Sequence, residues 1–202
     1  MSDPGPDSGV LAPAAAQGPV RRLRRAERRE QILDAATRAF ARAGYAATGL
    51  DDIAAEAELT RAMLYRHFDS KADLYRAVLD RACTRLGEAT GADDFDDSAI
   101  PALLRAAAAD PDGFRLLFRH AAREPDFRDL IDSITADSRE VAHRNLARRI
   151  PAGPWLDWAA TLIPAFTLDA VIAWLDAGQP DPERAAARIA TAVHGVMAAA
   201  QP

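Results

Sequence analysis

One cysteine in 202 residues excludes an internal disulfide and fits a reducing compartment. Cys83 sits on a helical apolar pattern, which favours packing over redox chemistry. Aromatic residues make up 6% of the chain, and no run alternates β-branched with polar residues, so nothing argues for a sheet. No window approaches the roughly 18 consecutive strongly apolar residues that a membrane-crossing helix needs, so no membrane partner is expected. The N-terminus has no apolar stretch behind early positive charges, which argues against a secretory leader and for a cytoplasmic protein. There is no GxSxG, no P-loop and no GxGxxG, so neither an enzyme nor a nucleotide cofactor is expected. No two of His67, His120, His143 and His194 stand at metal-ligand spacing, so no metal is expected either.

What is present is alanine, leucine and arginine in helical rhythm. Residues of the hydrophobic class reach 49%, and this composition predicts an all-α fold. The net charge of −5 is unevenly spread. Residues 21–85 hold fourteen basic against ten acidic side chains, whereas residues 86–202 hold eleven against eighteen. A basic front and an acidic back suit a protein that presents one end to phosphate. Residues 1–20, rich in Pro, Gly, Ala and Ser, cannot build a core and read as a disordered tail. Arg21, Arg22, Arg24, Arg25, Arg28 and Arg29 follow. They read either as a solvated lead-in to a helix or as a flexible arm laid along phosphates. The expected division is a tail at 1–20, a front domain with its basic arm at 21–70, and a helical domain at 71–202.

Ile32, Leu33, Ala36, Phe40 and Ala43 form a stripe that predicts a first helix over about 26–43, stopped by Gly44. Thr48 precedes Asp51 by three, a capping-box spacing for a second helix over about 49–57. Thr60 can cap a third helix running to about His67, with Leu64 and Phe68 inward. Ser70 with Asp73 caps a fourth. Further helical patterns cover about 100–109, 112–123, 125–150, 155–177 and 182–200, about nine helices in all, with a kink or late start expected at Pro164.

Two short helices broken by a tight turn, with Tyr and basic groups outward on the second, have the layout of a helix-turn-helix. With Leu64 inward, Ala62, Met63, Tyr65 and Arg66 point outward, and Arg61 stands where a recognition helix meets base edges. An Arg there can fork onto O6 and N7 of guanine, and the short Ala62 lets the helix approach the groove floor. Tyr65 and His67 can donate to phosphate oxygens, and Lys71 adds charge at a helix start. The run Thr48…Asp52–Ile53–Ala54…Leu59–Thr60–Arg61…Leu64–Tyr65–Arg66–His67–Phe68–Asp69–Ser70–Lys71–Ala72–Asp73–Leu74 resembles the DNA-binding domain of TetR-family transcriptional regulators. The resemblance implies that Thr48, Tyr65, His67 and Lys71 hold the phosphate backbone and that Thr60, Arg61 and Met63 lie near base edges. Two departures stand out. Glu58 occupies the turn where the family usually has glycine, so a left-handed turn there would be strained. Met63 stands where Ser or Thr is common; it cannot donate a hydrogen bond but can touch a thymine methyl.

In the back half, the resemblance implies that the two closing helices pair with their copies in a homodimer. Ile163, Val171, Ile189, Val193 and Met197 are the candidates for that face, although an intrachain core explains the pattern nearly as well. Phe114, Leu117, Phe118, Phe127, Phe166 and Trp174 are the candidate lining of a cavity for a small apolar effector. The resulting expectation is a homodimeric repressor that binds a pseudo-palindromic operator in double-stranded DNA and is released by that effector. The alternative is a non-inducible or architectural DNA-binding protein.

Overall fold

The computed structural model describes residues 18–91 and 98–201, and within them the chain is all-helical, with nine α-helices and no strand. They are α1 (Gly18–Ala47), α2 (Leu50–Glu56), α3 (Arg61–Tyr65), α4 (Lys71–Thr90), α5 (Ala99–Ala109), α6 (Pro111–Arg115), α7 (Arg128–Leu146), α8 (Pro154–Asp176) and α9 (Pro182–Ala199). Between α6 and α7 the backbone leaves α geometry, first as a π-helical turn at Leu116–His120, then as two 3-10 turns at Ala121–Arg123 and Pro125–Phe127. The helix expected over 112–123 is therefore only partly α-helical. Most of the tail expected at 1–20 lies outside the described residues, but Gly18–Val20 belong to α1. The helix thus begins eight residues before the apolar stripe would place it. The arginines from Arg21 to Arg29 ride on a helix and do not form an extended arm.

α1 breaks at Gly44, whose φ of 79° lies in the left-handed region that glycine favours. The first core joins Ile32, Leu33, Phe40, Ile53, Leu64, Leu74 and Leu79 from α1 to α4. A second joins Leu104, Phe114, Val171, Ile172, Trp174 and Ile189 from α5, α6, α8 and α9. A third lies where α7 meets α8, around Leu146, Ile150 and Leu156. α6 and the π turn pack against both α1 and α4, and so seat the back of the molecule on its front.

α8 corrects the expectation about membrane-length segments. At 23 residues, with a mean hydropathy of 1.6 over its best window, it is long and apolar enough to cross a bilayer by length and composition. The structure packs it against α5, α7 and α9, with Leu156, Ala159, Ala160, Val171, Ile172, Trp174 and Leu175 buried. α8 also runs as one helix through Pro164, so no late start occurs there.

Candidate DNA-binding interface

The reading head is assembled from caps. Gly49 N–H donates to the Asp52 carboxylate at 2.8 Å at the start of α2. The capping box therefore sits one residue later than the Thr48–Asp51 spacing suggested. Thr60 caps α3 by accepting from Met63 N–H at 3.4 Å. Ser70 caps α4 by accepting from Asp73 N–H at 3.0 Å, while the Asp73 carboxylate accepts from Asp69 N–H, also at 3.0 Å. The turn between α2 and α3 passes through Glu58 at a φ of 54°, the left-handed conformation expected of it. Leu64 and Phe68 are buried, which fixes the roll of α3.

That roll turns Thr60, Arg61, Ala62, Tyr65 and Arg66 to solvent, with Met63 and His67 half-buried at the edges. Arg61 does not wander freely. Its guanidinium donates to Asp51 at 3.2 Å and to the Tyr65 hydroxyl at 3.2 Å, and lies 5.6 Å from the centre of the Tyr65 ring. Both partners are exposed, so the pair holds Arg61 over the helix at little cost to a better acceptor such as guanine. His67 is held below its ordinary pKa of 6.5, first by partial burial and then by the guanidiniums of Arg25, Arg66, Arg29 and Arg28. These arginines of α1 thus converge on the turn between α3 and α4, where Arg29 also stands 5.1 Å above the Phe68 ring.

Two expected phosphate contacts are placed differently. Thr48 is 3% exposed, and its hydroxyl donates to the carbonyls of Gly44 at 2.7 Å and Ala39 at 3.2 Å. The hydroxyl is used inside the fold, so Thr48 stabilises the join of α1 to α2 and presents no side-chain donor to a phosphate. The Lys71 ammonium donates to Thr48 O at 2.8 Å and Ala46 O at 3.4 Å, and lies 4.5 Å from the Tyr45 ring centre. It carries positive charge to the head while also tying α4 to the end of α1.

The back half rearranges the other expectations. A cleft of about 410 Å³ opens between α4, α5 and α6. Ala82, Leu86, Ala106, Gly113, Phe114 and Leu117 line it, with Arg85 and Asp110 at its polar edge. Of the six expected lining residues, only Phe114 and Leu117 reach it. Phe127 is 1% exposed and packs edge-on to Tyr75 at 4.7 Å and Tyr45 at 5.2 Å, in the core under the reading head. Trp174 is buried in the second core and donates from its indole N–H to Pro180 O at 2.9 Å. Phe118 and Phe166 are partly buried against these cores. On the closing helices, Val171 is fully buried and Ile189 is 7% exposed, both within the chain, so they are not available to a second copy. Ile163, Val193 and Met197 also lean inward, partly buried against the cores.

Three features gave no local signal in the sequence. Arg81 on α4, with a side chain 11% exposed, reaches back to α1 and donates to Asp34 at 2.7 Å, Glu30 at 3.1 Å and Thr37 at 2.8 Å. Arg85 links Glu30 at 3.9 Å to Asp110 at 3.3 Å, on the rim of the apolar cleft. Gly113 is dictated by its neighbour, since a Cβ there would stand 2.6 Å from the Asp110 carboxylate that caps α6.

A capped helix-turn-helix with a basic, outward recognition helix, set on an all-helical back half, defines a DNA-binding regulator. Residues 32–78 match the family model of bacterial regulatory proteins, tetR family. The HTH-type transcriptional activator FasR of Mycolicibacterium smegmatis is 32% identical over 193 residues, covering 85% of this chain and 83% of that one. A TetR-like transcriptional regulator from Rhodococcus sp. RHA1 shares the fold with a TM-score of 0.70 at 24% identity, over 80% of this chain and 91% of that one. The transcriptional regulator FadR from Bacillus subtilis, solved in complex with stearoyl-CoA, has a TM-score of 0.62 at 18% identity over 83% and 97% of the two chains. The chain belongs to the TetR family of transcriptional regulators, and it is a DNA-binding regulator and not an enzyme.

Proposed function

We propose that the protein acts in the cytoplasm as a homodimer that reads a pseudo-palindromic operator in double-stranded DNA, and that a small apolar ligand lowers its hold on that operator. The observation that carries the reading is the exposed face Thr60–Arg61–Ala62–Tyr65–Arg66, with Leu64 and Phe68 buried behind it. A short helix with an exposed guanidinium, held only by exposed partners, beside a small residue fits the major groove. One head per chain implies two half-sites related by the dimer axis. For the dimer, the outward sides of α8 and α9 remain open. Trp155 and Trp158 are exposed on α8, and Ala187, Thr191, His194 and Ala198 form an exposed row of spacing three to four on α9. For the ligand, the cleft between α4, α5 and α6 is of small-molecule size. It borders α4, whose first residue is Lys71, so occupancy that prefers one tilt of α4 would change the presentation of α3. FadR's stearoyl-CoA shows that a regulator of this fold takes an acyl ligand. Occupancy of an operator represses or activates according to where the operator lies, and FasR is an activator.

The test is selection of bound DNA from a random pool, repeated with Arg61→Ala. The wild type is expected to select an inverted repeat. The variant should lose about 1–3 kcal/mol per half-site and relax its choice at one base pair. Recovery of the same site with the same affinity would overturn the assignment of the recognition helix.

A further inference from the structure

A second concavity lies on the seam between front and back, and the DNA-binding reading makes no use of it. Arg38, Ala41 and Arg42 of α1 form one wall. Asp112 and Arg115 of α6, Arg119 of the π turn and Asp176 at the end of α8 form the other, around an open volume of about 580 Å³. Arg38 and Arg42 share the two oxygens of Glu56 at 2.8 and 3.1 Å. Arg115 and Arg119 share the two oxygens of Asp176, and Arg115 also reaches Asp112 at 3.7 Å. Hydrogen bonds from these arginines hold the carboxyls of Glu56 and Asp176 below their ordinary pKa, so both are ionised. Four guanidiniums thus face three carboxylates. Each keeps at least one guanidinium nitrogen without a partner among the described residues, so every arginine can take a further acceptor.

We propose that this cleft is an anion site for a phosphorylated small molecule, with a diphosphate group bridging Arg38 and Arg42 on one wall to Arg115 and Arg119 on the other. Planar guanidinium forks match phosphate oxygens two at a time. Two pairs on opposite walls suit two linked phosphates better than one carboxylate. The pairs stand on α1 and on α6, the π turn and the end of α8, so a bound diphosphate ties the reading head to the back half across the contact between them. The site is separate from the apolar cleft, because α6 sends Gly113 and Phe114 to that cleft and Asp112 and Arg115 to this one.

The experiment is isothermal titration of the full chain, without DNA, with sodium pyrophosphate and with ADP, against sodium chloride at equal ionic strength. One pyrophosphate per chain is expected. ADP binding equally would show that the diphosphate alone is read, and tighter ADP binding that an ester is preferred; both support the site. Arg42→Gln and Arg119→Gln should each weaken binding by about tenfold or more, as the loss of a charge-assisted hydrogen bond implies. Asp176→Asn should tighten it several-fold by releasing two guanidiniums, which a merely structural ion pair would not do. Urea midpoints of the variants report folding separately, and the arginine and aspartate variants test the site in opposite directions. No heat beyond chloride, or equal binding by the Arg42→Gln/Arg119→Gln double variant, overturns the proposal. So does loss of DNA affinity in Arg119→Gln with pyrophosphate binding intact, which would make the cleft a DNA-backbone contact. Because pyrophosphate binding is read without DNA, its failure would leave the operator reading standing.

Discussion

Replacing Glu58 by glycine should make the protein more stable. α2 ends in a Schellman arrangement, in which Leu59 N–H donates to Ala54 O at 2.8 Å and Glu58 N–H donates to Ala55 O at 3.0 Å. Glu58 is the residue that must turn left-handed, at a φ of 54°. The chain solves the same problem in the usual way at the end of α8. There Gln179 N–H reaches Trp174 O at 3.0 Å, Gly178 N–H reaches Leu175 O at 3.2 Å, and Gly178 carries a φ of 83°. The Glu58 side chain is exposed and makes no hydrogen bond or ion pair among the described residues, so the substitution removes no contact. A side chain in the left-handed region costs about 1–2 kcal/mol, and glycine returns about 0.4–1 kcal/mol of that through the freedom of the unfolded chain. The net expectation is a gain of about 0.5–1 kcal/mol, or roughly 1–4 °C in Tm for a chain of this length.

Urea unfolding is the assay, with the midpoint moving up and the slope unchanged. Gly178→Ala is the mirror control and should lower the unfolding free energy by about 1 kcal/mol, and the midpoint with it. A lower midpoint for Glu58→Gly, with Gly178→Ala behaving as expected, would refute the strain argument. The same variant removes a carboxylate from the turn of the reading head, so its affinity for the selected DNA should rise.

Arg81→Ala should cost about 2–3 kcal/mol in urea unfolding, because one mostly buried guanidinium serves Glu30, Asp34 and Thr37; a loss under about 0.5 kcal/mol would make the network ornamental. Thr191→Arg should yield a monomer by light scattering with its helical content kept, since Thr191 is exposed on α9; a dimer that survives places the interface elsewhere. Stability should decline as pH falls through the ordinary histidine value of 6.5, because burial and then nearby arginines hold His67 and His120 below it. The unfolded chain takes up the protons that the fold refuses, so this stability is present above about 6.5 and lost on acidification. The urea midpoint measured in His67→Gln/His120→Gln should be flatter over that range.

Where structure follows from residues three or four apart, the sequence was readable. Thr60 and Ser70 cap as their spacing requires, Gly44 breaks α1, and burial of Leu64 and Phe68 turns Arg61, Ala62 and Tyr65 outward. Glu58 is the sharpest case, because a missing glycine is visible in sequence and its consequence is a measurable φ. Thr48 shows the limit of motif reasoning. Its position matches the pattern, but only the fold reveals that its hydroxyl is engaged by the carbonyls of Gly44 and Ala39.

The misplacements share a cause in chain separation. Phe127 is aromatic, apolar and in the back half of the sequence, which made it a plausible wall for a ligand. The π and 3-10 turns between Leu116 and Phe127 swing it onto Tyr45 and Tyr75, some fifty to eighty residues earlier in the chain. Arg81 meets Glu30 across 51 residues, and Arg119 meets Asp176 across 57. No periodicity encodes such pairs, because they depend on which helix faces which. Arg81–Glu30 joins α4 to α1 and Arg119–Asp176 joins the π turn to the end of α8, so each pair ties together elements that the sequence keeps far apart. The polar seam is exposed and made of ion pairs that exchange partners at small cost. The Tyr45–Tyr75–Phe127 packing, by contrast, has Tyr75 and Phe127 fully buried and is close-packed. Side-chain partners can therefore change at the arginines of the seam while the core keeps its shape.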